Sequence, residues 1–146
     1  MNIKSLSSAL LAIALLFSFS GFAVAGDMGA KHKVVIQVST DDPRTQKIAL
    51  NNAVNVQKAL GMDNVEVEIV AYGPGLSLLT KKSKQAKRVE SLAMQDITFS
   101  ACANTMKKVE KKKGKKPKLL QGVKVVPAGV LRIMELQEKG YSYIRP

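Results

Sequence analysis

From residue 34 onward, short β-branched runs alternate with segments of helical period, and few folds accept that alternation. Val34, Val35, Ile36 and Val38 form the first run, which ends at Ser39 and Thr40. Asp42 then stands where a helix N-cap belongs, with Pro43 at the first helical position. Ala49, Ala53, Val56 and Leu60 share one face of that helix, and Gly61 sits where its end calls for a glycine. Residues 65–71 are the second strand. There Val65, Val67 and Ile69 alternate with Glu66 and Glu68, which predicts one exposed face or an edge position, and hence a surface available to another subunit.

Tyr72-Gly73-Pro74-Gly75 reads as a sharp turn leading into Leu76, Leu78 and Leu79. The spacing predicts a second helix over 83–94, with Ala86, Val89 and Ala93 inward, then a third strand over 97–101 with Cys102 at its end. A third helix over 103–113 stops at Gly114, and 115–118 is a polar connector. Residues 123–126 are a fourth strand. Pro127 is expected to open a fourth helix carrying Val130, Ile133, Met134 and Gln137; Gly140 closes it, and 141–144 is a final strand. Strands alternating with helices pair in parallel through right-handed crossovers. The expected fold is therefore α/β: a three-layer α/β/α sandwich around a mainly parallel, roughly five-stranded sheet.

Ahead of this lies a segment of different character. Lys4 precedes an unbroken apolar run over 9–17, then Ser18, Ser20 and Gly21, and then Ala23-Val24-Ala25. This is the pattern of a secretory signal peptide cleaved after Ala25. The rival, an uncleaved anchor over 9–25, falls at the short edge of the roughly 20 residues that cross a bilayer. The expectation is a cleaved signal over 1–25 and a single domain over 26–146, exported to a periplasmic or extracellular location with no stable membrane anchor.

The rare residues narrow the chemistry. The chain has one His (His32), one Cys (Cys102) and no Trp. It cannot build a His/Cys zinc site within one subunit, an intrachain disulfide or a CxxC redox pair. No metal or other cofactor is expected. No phosphate-binding glycine loop is present, since Gly73-Pro74-Gly75 lacks the GxGxxG spacing. Asp41 and Asp42 lie near the ligand-binding edge of the sheet, but Asp42 is engaged as a cap and neither makes a matched acid–base pair.

Open parallel sheets bind ligands outside the carboxyl ends of their strands. That rule selects the loops at 39–43, 72–76, 101–105 and 126–128. Cys102 belongs to this set, at the start of a helix whose free N–H groups and dipole favour a thiolate. Two readings stand side by side: an activated thiol, or a small buried hydrophobe.

The segment Ile97-Thr98-Phe99-Ser100-Ala101-Cys102-Ala103-Asn104-Thr105-Met106 resembles the DsrE/DsrF-like sulfur-relay family around its cysteine. The resemblance takes in the opening strand over 33–38, the Tyr72-Gly73-Pro74-Gly75 turn, and the ending from Gly122 through Val130 to Tyr141. It implies a small α/β protein, often a homo-oligomer, whose cysteine carries sulfur as a persulfide between a donor and an acceptor protein. Carried over by position, Cys102 is the carrier, Asn104 and Thr105 are the polar residues beside it, and Tyr72, Gly73 and Gly75 form the adjoining pocket loop. Persulfide transfer needs a thiolate and a partner sulfur, not a His or a metal. The alternatives are a non-catalytic module that binds a small ligand or partner at the same edge, and a thiol that reports oxidants through a sulfenic acid.

One feature lies outside that resemblance. Eight lysines fall within 107–118, and on a helix Lys107, Lys108, Lys111 and Lys112 share a broad face. In a chain of formal charge +12, this face is either solvated or a dock for an anionic partner. Nucleic acid is not expected, because the exported domain retains only four aromatics for base stacking: Tyr72, Phe99, Tyr141 and Tyr143.

Overall fold

The computed structural model describes residues 31–146, so the expected signal segment and its cleavage site lie outside the described residues. Five strands form one sheet: β1 His32–Val38, β2 Val65–Ala71, β3 Ile97–Cys102, β4 Val123–Val126 and β5 Ser142–Ile144. Their order is β4-β3-β2-β1-β5, and all four pairings are parallel. The connecting α-helices are α1 Pro43–Leu60, α2 Ala86–Ala93, α3 Ala103–Lys113 and α4 Gly129–Glu138.

The chain steps from β1 to β4 in one direction across the sheet and then returns past β1 to add β5. With right-handed crossovers, the outward helices share one face and the returning helix takes the other. The core divides accordingly. Ala49, Leu50 and Ala53 of α1, Val89 and Leu92 of α2, and Met106 of α3 pack with Val34, Ile36, Ile69 and Phe99. On the opposite face Ile133 and Leu136 of α4 pack with Val35 and Val70. The result is the expected three-layer α/β/α sandwich, with three helices against one.

Local signals act as expected at several ends. Asp42 Oδ2 accepts from the Thr45 N–H at 2.6 Å, which holds the Asp42 carboxyl below its ordinary value and starts α1 at Pro43. Gly61, at φ 87°, ends α1, and Gly114, at φ 69°, ends α3. The Tyr72–Gly75 turn continues as a 3-10 helix over Gly73–Leu79 that buries Leu76, Leu78 and Leu79.

Three expectations need correction. The second strand is neither an edge nor exposed on one face: β2 is the middle strand, and Glu68 is only 3% exposed. Arg132 of α4 donates to it through Nε at 2.8 Å and Nη2 at 2.7 Å, and the Ser100 hydroxyl donates to it at 2.7 Å. Glu66 accepts from the Tyr141 hydroxyl at 2.6 Å. Alternating polarity shows that two faces of a strand differ; here the polar face is covered by a helix that brings its own cation.

The fourth helix begins at Gly129 rather than Pro127, and its inward residues are Gly129, Ile133 and Leu136. Val130 and Met134 are 55% and 52% exposed, and Gln137 is exposed too. Ile133 is inward as expected, Gly129 and Leu136 take the places expected of Val130, Met134 and Gln137, and Arg132 of the same helix reaches Glu68. The second helix begins at Ala86, since Ser83 instead makes a local turn: its hydroxyl accepts from the Gln85 N–H and its carbonyl from the Ala86 N–H.

Candidate functional site

β3 and β4 are neighbours, yet β3 leads into α3 on one face and β4 into α4 on the other. Their carboxyl ends therefore diverge into a crevice, the topological switch point where open parallel sheets bind ligands. Cys102 is the last residue of β3 and pairs in register with Val126 at the end of β4. The Asn104 N–H donates to the Pro127 carbonyl at 3.3 Å, joining the two diverging loops just above the cysteine.

Cys102 is 5% exposed and is the N-cap residue of α3. Burial by itself pushes its thiol up. The Thr105 hydroxyl and the amides of Thr105, Gly129 and Asn104 outweigh burial, and the thiol lies below its ordinary value. These amides come from two helices: Asn104 and Thr105 open α3, and Gly129 opens α4. The sulfur closes no short cap bond within α3, so the amides act on it as converging dipoles.

Thr105 has a second partner. The Gly73 N–H donates to its Oγ1 at 2.9 Å, which commits that oxygen as an acceptor and leaves its own proton for the sulfur. Tyr72 packs directly against Gly129, where an added Cβ would lie 2.9 Å from both Cβ and Cδ1 of the tyrosine. Burial raises the Tyr72 phenol, as do the neighbouring Tyr143 and Cys102. Gly75 does not enter the crevice. A Cβ there would overlap the Val38 carbonyl, so Gly75 lets the Gly73–Leu79 helix lie against the end of β1. Asn104 contributes its amide, while its side chain is exposed.

Beside this crevice runs a groove of about 1150 Å³, bounded by the 72–77 and 80–85 segments, α3 and the 115–118 connector. Tyr72, Gly73 and Thr105 belong to its wall as well as to the cysteine site. Of the lysines expected to dock an anionic partner, Lys108 and Lys112 line the groove; Lys107 and Lys111 are exposed outside it.

Residues 32–146 match the family model described as the DsrE/DsrF-like family. The chain belongs to the DsrE/DsrF-like family. No curated protein matches the sequence. Among solved structures, this family member is similar to a protein of unknown function from Methanobacterium thermoautotrophicum. The two are 33% identical, with a TM-score of 0.72 over 80% of this chain and 100% of that one.

Two parts of this DsrE/DsrF-like site escaped the sequence reading. Gly129 lies 27 positions after Cys102, and its amide joins the site only through the parallel pairing of β3 with β4. The signal was present in Pro127-Ala128-Gly129, a small-residue opening to a helix at the edge where ligands bind. The Tyr143–Gln37–Ser39 chain was the other. Tyr143 donates to Gln37 Oε1 at 2.6 Å, and Gln37 Nε2 donates to Ser39 Oγ at 3.2 Å, bracing the end of β1 near Tyr72.

Proposed function

We propose that this protein carries sulfur as a persulfide on Cys102, taking it from one partner and passing it to another. The observation that carries the reading is the convergence of two helix N-termini and the Thr105 hydroxyl on a single thiol. Membership of the DsrE/DsrF-like family supports it, since that family suggests sulfur relay. In the loading step the Cys102 thiolate attacks the outer sulfur of a donor persulfide. The new bond joins Cys102 Sγ to that sulfur, the donor S–S bond breaks, and the donor leaves as a thiolate: Cys–S⁻ + HS–S–R → Cys–S–SH + R–S⁻. The amides that stabilise the thiolate stabilise the persulfide anion in the same way. Unloading reverses the step onto an acceptor thiolate, so neither a second cysteine nor a metal is required.

Two further parts belong to the proposal. The protein acts after export, supported by the signal-like pattern of residues 1–25. It also self-associates, supported by the exposed Val130, Leu131 and Met134 on the outer side of α4.

Intact-mass spectrometry after incubation with polysulfide tests the central reading. The expected result is a reducible gain of one sulfur that is absent in Cys102→Ala. A thiol that stays unmodified, and resists alkylation until the protein is unfolded, would sink it. The 5% exposure of Cys102 would then favour a non-catalytic module that binds an anion at the same crevice.

A further inference from the structure

The 107–118 lysine run does not trail into solvent. Beyond Gly114 the connector folds back: the Lys81 N–H donates to the Lys118 carbonyl at 2.9 Å, and the Leu120 N–H donates to the Leu79 carbonyl at 3.0 Å. An antiparallel bridge between Thr80 and Leu119 lies between them. These bonds set a second basic segment, with Lys81, Lys82 and Lys84, across the groove from Lys108, Lys112 and the connector. Nine lysines line this one groove, with Asp41 as its single carboxylate. Among the described residues no lysine forms an ion pair; the two salt bridges present both belong to Arg132. Like charges gathered along one groove repel one another, and salt screens that repulsion. The fold holds them there with backbone hydrogen bonds.

We infer that this groove is the docking channel for an extended acidic segment of a partner protein. Its volume of about 1150 Å³ exceeds the usual range of small-ligand pockets, roughly 300–1000 Å³. A small anion would engage only a few of the ammonium groups. An extended acidic chain places a carboxylate every residue or two and meets both walls. The channel is concave, so a flat membrane surface does not reach its floor. Tyr72 is its only aromatic side chain, which leaves bases without the stacking platforms that single-stranded nucleic acid uses. That this partner also exchanges sulfur with Cys102 rests on the reading proposed above; the link is Thr105, which lines the channel and whose hydroxyl lowers the Cys102 thiol.

The test uses the full chain and a fluorescently labelled oligoglutamate peptide, followed by anisotropy at several salt concentrations. Binding that weakens as salt rises is expected, with a loss of about tenfold or more, some 1.4 kcal/mol, in the double variant Lys84→Glu/Lys112→Glu. Lys107→Glu/Lys111→Glu makes the same change in net charge on exposed positions outside the channel and is expected to lose much less. Equal losses in the two double variants, no binding at all, or tighter binding to phosphatidylglycerol vesicles or single-stranded RNA would overturn the inference. Thermal melts of both variants confirm that they remain folded. Cys102→Ala is expected to bind the peptide as the parent does, so failure of sulfur loading and failure of docking are read separately.

Discussion

Thr105 reads most directly on the state of the thiol. Its oxygen accepts from the Gly73 N–H, its hydroxyl lowers the Cys102 thiol, and Thr105→Val removes that hydroxyl while keeping the shape. A hydrogen bond to a charged group is worth about 1.5–3 kcal/mol. The pH midpoint of Cys102 alkylation is therefore expected below that of an ordinary thiol, and to rise by about one unit in the valine variant. An unchanged midpoint would mean that the amides alone hold the thiolate. Gly129 is constrained by space: with Tyr72 Cβ and Cδ1 both 2.9 Å from where its Cβ would be, Gly129→Ala is expected to cost about 1–3 kcal/mol in chemical denaturation. It should also slow alkylation, since Tyr72 or the α4 amide must give way. At this scale Cys102 was legible, because strand, cysteine and helix are contiguous in the chain. Gly129 was not, because nothing local ties it to the sulfur.

At the scale of elements, the pairing of β2 with α4 sets how the sparsely covered face is held. Arg132 is held above its ordinary value chiefly by its hydrogen bonds to Glu68. Arg132→Met leaves Glu68 buried with Ser100 as its remaining partner, at a cost of about 3 kcal/mol. Adding Glu68→Leu to that variant is expected to recover part of the loss, which equilibrium unfolding of the single and double variants would measure. Tyr141 gives this face a pH signature. Burial and the hydrogen bond to Glu66 push its phenol up to about 12. A phenol raised in the folded state contributes stability in full below its unfolded value near 10. That contribution is lost as pH rises from there towards 12. Denaturation midpoints are therefore expected to fall less over that window in Tyr141→Phe, with a difference of up to about 1 kcal/mol. The alternation of Glu66 and Glu68 was plain in the sequence; their burial was not, because an arginine 64 positions beyond Glu68 supplies the cover.

For the whole molecule, strand order decides what a linear reading leaves open. Among the described residues, both core clusters pack against the same five-stranded sheet. A chain beginning at Lys31 is expected to unfold in one cooperative transition by circular dichroism, and two separated transitions would contradict the single-domain reading. The proposed self-association is read by sedimentation: a mass above that of the monomer, lowered by Met134→Lys, is the expected result. A monomer at all concentrations would remove that part of the proposal.

The sequence by itself determined the elements, their alternation and parallel sense, the capping by Asp42 and Gly114, and the place of Cys102 at a strand end. These follow from short-range periodicity, turn chemistry and the handedness of crossovers, which act between residues close along the chain. Only the tertiary structure decided that β2 is central and that, among the described residues, α4 is the helix that covers the second face. It alone brought a second helix N-terminus to the thiol and folded the lysine run back into a groove. Each of these depends on which strand pairs with which across long separations, where a polar residue has the same pattern whether it meets water or a partner.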